Sequence, residues 1–165
     1  MSRMSDQLPS SAASDPRWAT TWLELGHSAP TLAGLASVAS MAMSTGGDKA
    51  VVLSREARCI LFAAKGRGII EVKGSNRAFD APGRMLAVHV ETDPERTLIF
   101  RSRENAAFTI RFLAGFRELC SAGLVMHHIY TEFSLTREGL ELAATVPAEE
   151  VTDLLAQATE FGLLE

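Results

Sequence analysis

The residues with ligand or proton-transfer chemistry gather in one short run: His127, His128, Tyr130 and Glu132. Strand alternation would place His128, Tyr130 and Glu132 on one face and His127, Ile129, Thr131 and Phe133 on the other. Adjacent histidines on a strand point apart, so these two cannot share a metal. A site built on His128 and Glu132 needs ligands from elsewhere, with His89 and Glu91 the nearest in kind. The expected state of the run is a half-exposed sheet face, with no metal and no cofactor. The two cysteines, Cys59 and Cys120, each sit in an apolar run without a CxxC partner. They read as buried free thiols in a reducing compartment. Lys65-Gly66-Arg67-Gly68 is too short for a phosphate loop and reads as a helix end with basic flanks. Neither GxSxG nor HExxH occurs. The missing constellations point away from an enzyme.

Charge is the more informative signal. Residues 54–117 carry 12 Lys/Arg against 7 Asp/Glu, whereas residues 118–165 carry Arg137 against 9 Asp/Glu. A basic body followed by an acidic end suggests an oriented surface that binds a partner or a second copy. The basic residues singled out for a protein partner or nucleic acid are Arg101, Arg103, Arg111, Arg117, Lys73 and Arg77. Arg55, Arg58, Arg67 and Arg84 lie on elements that could converge with them. A chain of 165 residues with 47% hydrophobic and 22% charged residues fits one globular domain, with no need of a disulfide or metal. The uncharged stretch 28–47 is mostly Ala, Ser, Thr and Gly, too poor in large apolar residues to span a membrane. The polar first residues carry no convincing secretory signal.

The elements that must position these residues read as follows. Residues 1–14 form a disordered tail, and 15–47 an N-terminal helical segment. Its first helix starts at Asp15-Pro16 and puts Trp18, Trp22 and Leu25 on one face. Its second runs over 30–44 to Gly46-Gly47. Residues 48–146 form the α+β core. Ser54 caps a helix over 55–65, and residues 69–73 read as a strand. Pro82-Gly83 marks a turn. Residues 85–91 and 97–101 form a hairpin around Thr92-Asp93-Pro94-Glu95. The helix 105–121 carries Phe108, Phe112, Phe116 and Leu119 as a core stripe. Residues 125–135 read as a single extended strand, because no Gly, Pro, Asn or Asp offers a turn. Thr136 caps a short helix. Pro147 opens an amphipathic helix through 165, with Val151, Leu154, Leu155 and Ala158 on one side and acids in its first turns.

The run Leu119-Cys120-Ser121-Ala122-Gly123-Leu124-Val125, followed by Phe133-Ser134-Leu135-Thr136-Arg137-Glu138-Gly139, resembles the second half of a winged-helix domain of the MarR or PadR type. The resemblance covers roughly residues 108–143. It implies a DNA-binding domain whose helix 105–121 sits at the major groove, with Arg111 and Arg117 on its outer face beside Arg101 and Arg103. The single-strand reading of 125–135 leaves out the wing tip of those families, and a hairpin stands where their first helices would be.

The fold expected is α+β, a small antiparallel sheet packed on a long helix with flanking N- and C-terminal helices. The function expected is a non-enzymatic interaction or assembly module in the cytoplasm, self-associating through charge-complementary and apolar helical surfaces. The alternative is a winged-helix-like DNA-binding regulator.

Overall fold

The computed structural model describes residues 30–75 and 77–162 together with Arg17, Ala19, Thr20 and Leu23. The expected tail over 1–14 lies outside them, and so do Trp18, Trp22 and Leu25 of the expected first helix. In chain order the helices are α1 (Pro30–Thr45), α2 (Arg55–Ala64), α3 (Ala81–Arg84), α4 (Ala106–Ser121), α5 (Arg137–Ala143) and α6 (Thr152–Gln157). The strands are β1 (Ile69–Lys73), β2 (Ala87–Asp93), β3 (Arg96–Ile99), β4 (Val125–His127), β5 (Glu132–Leu135) and β6 (Thr159–Gly162). A 3₁₀ turn spans Ala148–Glu150. The fold is α+β, as the sequence leads one to expect.

All strand pairs are antiparallel, in the order β4-β5-β1-β2-β3-β6. Alternation gives the sheet two unlike faces. Ile70, Val72, Val88, Val90 and Phe133 are buried on one face, in the same core as residues from α1, α2 and α4. Phe112 of α4 stacks on Phe100 at 4.2 Å, and Phe116 meets Phe133 edge-on at 4.9 Å. Such ring pairs add to the burial of their large apolar area. The expected Phe stripe is therefore core. On the other face Glu132, Glu71, His89, Ile99 and Thr159 lie in register in one row across five strands.

Side-chain caps start two of the helices, α2 and α5. The Ser54 hydroxyl accepts from the Ala57 N–H, as the cap reading requires, and donates to the Glu118 carboxylate on α4. Thr136 caps α5 by accepting from the Gly139 N–H and donates to the Gly123 carbonyl. Where α4 crosses α2, Gly115 lets the backbones meet: a Cβ there would stand 2.8 Å from the Ala57 nitrogen.

Three expectations are corrected. Residues 125–135 are a hairpin rather than one strand. Tyr130 supplies the turn with φ 50°, a left-handed conformation usually left to Gly or Asn. The Glu132 N–H donates to the Ile129 carbonyl, and His127 Nε2 lies 2.8 Å from the Tyr130 carbonyl. These bonds hold a turn that carries no turn residue. The amphipathic helix does not continue to 165. It ends at Gln157, Ala158 becomes extended, and Thr159–Gly162 pairs with the open edge of β3. Edge pairing overrides helical periodicity there. Finally, Pro82-Gly83 lies inside the short helix α3, with Pro in its first turn, and not in a simple turn.

Candidate functional site

The segment 74–86 between β1 and β2 folds back over one end of the polar sheet face. Its base is closed by the Ser75 N–H donating to the Gly83 carbonyl at 3.3 Å. Gly74 is required there, because a Cβ would collide with the Arg84 carbonyl oxygen. Arg101, just past β3, reaches the segment and donates through Nη2 to the Met85 carbonyl at 3.0 Å. Between segment and sheet lies a cleft of about 510 Å³ lined by Ser75, Asp80, Ile99, Arg101, Arg103 and Thr159, among others. The Thr159 hydroxyl donates to the Arg101 carbonyl at 3.4 Å and ties β6 to this wall.

The electrostatics of the cleft are positive. Arg101 Nε is buried and has no hydrogen-bond partner. Burial lowers the guanidinium pKa, and the nearby Asp80 carboxylate counters this. Arg103 Nε stands 3.5 Å from Asp80 Oδ2, with most of its side chain in solvent. On the neighbouring strand His89 Nε2 is also buried without a partner. Its pKa is pushed down to about 4, first by burial and then by the charges of Lys73 and Arg101, with Glu71 opposing. His89 is therefore neutral at pH 7 and registers the positive field around it. A buried donor left without an acceptor is costly in a folded protein, and Arg101 Nε carries that cost here.

Of the six basic residues singled out from the sequence, the structure brings Arg101 and Arg103 into one cleft. Lys73 is adjacent on the same sheet face, with its ammonium 3.1 Å from Glu71. The Glu71 carboxylate also accepts from the Thr131 hydroxyl at 3.2 Å. Arg77 is exposed on the covering segment. Arg111 and Arg117 do not join this group. They lie on α4, in the helix layer on the other side of the sheet, and six positions apart they project from different sides of the helix. Arg111 instead meets Glu56 of α2 at 3.4 Å. Arg101 and Arg103, which the winged-helix resemblance puts beside Arg111 and Arg117, thus lie on a different surface from them.

The charge split has an intramolecular use. Arg58 Nη2 lies 2.6 Å from the Glu150 carboxylate, and Arg55 Nη2 lies 2.6 Å from Asp153. Arg55 also donates to the Glu150 carbonyl at 2.8 Å. The acidic end folds back on the basic helix α2 of its own chain.

The other chemistry-bearing residues are engaged locally. His128 Nε2 lies 2.8 Å from the Ser134 hydroxyl on the polar face. The His127 ring packs on Phe133 at 4.9 Å. Among the described residues no group of three or more His, Cys, Asp or Glu could hold a metal ion. Cys59 and Cys120 are buried, free thiols. Burial, the largest cause for each, pushes both up to about 12, far from a reactive thiolate. Among the described residues no helix is long and apolar enough to cross a membrane.

Sequence reasoning missed Asp80 and Ser75, and considered His89 only as a metal ligand. The parity of the β2–β3 hairpin, which aligns His89 with Ile99 and Arg101, was the available signal. Comparison with known proteins gives no match among family models, curated proteins or solved structures.

Proposed function

We propose that this chain is a non-enzymatic binding module whose Arg101–Arg103 cleft receives an anionic group of a partner molecule. Two arginines, Arg101 and Arg103, on the wall of one cleft of about 510 Å³ carry this reading. A guanidinium offers planar, paired donors that suit phosphate and carboxylate oxygens. Two buried free thiols fit a cytoplasmic setting. The reading does not rest on self-association, because Glu150 and Asp153 are engaged by Arg58 and Arg55 of the same chain.

Calorimetric titration with inorganic pyrophosphate and with citrate tests it. Binding that weakens in Arg103→Gln supports it. No heat from either anion at low salt overturns it.

A second reading retains a winged-helix-like DNA-binding regulator. The observation behind it is the hairpin β4–β5, which follows α4 and pairs with β1 where a wing would stand. Arg111 and Arg117 of α4 would then meet the DNA backbone. Duplex binding that Arg117→Ala reduces would favour it, and log affinity should fall linearly with log salt.

A further inference from the structure

The tip of segment 74–86 carries a side chain that the cleft does not use. Phe79 is fully exposed, between Ala78 and Asp80, which both line the cleft. Arg77 and Arg84 on the same segment are exposed. The base of the segment is pinned by the Ser75–Gly83 bond and by Arg101 on Met85, so the tip is presented from a closed support. A large aromatic ring left in water at the rim of a basic cleft gives up about 2 kcal/mol or more of burial. That cost is recovered when a flat apolar surface covers the ring.

Resting on the anion-cleft reading, we infer that the ligand is single-stranded nucleic acid, with a phosphate in the Arg101–Arg103 cleft and a base stacked on Phe79. Unpaired bases expose both faces, whereas a duplex keeps them stacked inside. Base stacking on an aromatic side chain, next to arginines that follow the backbone, is the general chemistry of single-strand recognition. Asp80 has a place in this arrangement. Its carboxylate accepts only, so it suits an exocyclic amine or a ribose 2′-hydroxyl beside the phosphate. An anionic membrane fits less well. One exposed phenylalanine between Ala78 and Asp80 buries too little apolar area to hold a membrane surface.

The test is fluorescence anisotropy of the full chain with a labelled twelve-nucleotide oligoadenylate of RNA and with the matching duplex. Calorimetry with inorganic pyrophosphate runs beside it. Expected are tighter binding of the single strand than of the duplex, and a roughly 10-fold or greater loss in Phe79→Ala. Pyrophosphate binding should be unchanged in Phe79→Ala and weakened in Arg103→Gln. Phe79 and Arg103 are both exposed, so neither variant threatens folding, which circular dichroism checks. If pyrophosphate binds but Phe79→Ala leaves oligonucleotide affinity unchanged, or duplex binds as well as single strand, this inference falls and the cleft reading stands. If neither pyrophosphate nor oligonucleotide binds, both fall. Retention on phosphatidylserine vesicles that Phe79→Ala abolishes, without oligonucleotide binding, also overturns it.

Discussion

Arg58 of α2 and Glu150 of the 3₁₀ turn form an ion pair of 2.6 Å, joining the basic and acidic portions of one chain. Both side chains are about two-fifths exposed, so water and salt screen the pair. Exposed pairs of this kind contribute about 0–1 kcal/mol. Arg58→Ala is expected to lower the denaturant-derived stability by less than about 1 kcal/mol. A loss of several kcal/mol would show that the pair anchors the C-terminal elements more firmly than its exposure implies.

His89 should make stability depend on pH. Its folded pKa, about 4, lies below the unfolded value of 6.5. Between these values the unfolded chain binds more protons, so stability rises with pH. The full contribution is present above pH 6.5 and is lost progressively as pH falls toward 4. Its size is on the order of 3 kcal/mol. Urea titrations across this window should show the slope, and His89→Gln should flatten it. An unchanged slope would place the dependence on other groups.

Gly115→Ala should destabilise the fold. The added methyl would meet the Ala57 backbone nitrogen at 2.8 Å, and a backbone atom in a packed helix cannot swing aside. Overpacking of this kind costs about 1–3 kcal/mol. Most of that range outweighs the roughly 1 kcal/mol that Ala gains over Gly in helix propensity. Thermal unfolding of the variant checks the sign.

Tyr130 occupies the left-handed region at φ 50° and is half exposed. Tyr130→Gly should leave stability unchanged or raise it by up to about 1 kcal/mol, as backbone strain is relieved. Tyr130→Val should lower it, because a β-branched residue tolerates that conformation least. The two variants bracket the wild type in a denaturant series if the turn is as described.

Much of the architecture was legible because local chemistry and tertiary structure agree. Ser54 and Thr136 cap the helices they precede, and the Phe108–Phe112–Phe116 spacing forms the core stripe. The misreadings have physical causes. The β4–β5 turn is built from backbone bonds and a strained Tyr130, so it leaves no Gly or Asn to read. Residues 159–162 satisfy a helical pattern but meet an open sheet edge, and the edge wins. At the candidate site, charge alone located Arg101 and Arg103. It could not separate them from Arg111 and Arg117, because which side of the sheet a residue faces depends on pairings between distant segments. Asp80 and Ser75 enter the cleft only because segment 74–86 folds back.

The strand order also bears on synthesis. A nascent chain holds β1, β2 and β3 well before their flanking partners β5 and β6 leave the ribosome. Until Glu132–Leu135 emerges, the Ile69-Ile70-Glu71-Val72 edge has no neighbour on one side, and β3 waits still longer for Thr159–Gly162. Unpaired apolar edges recruit other chains. Prematurely terminated or slowly translated copies of this protein are therefore the form in which it is most exposed to aggregation and most dependent on chaperones.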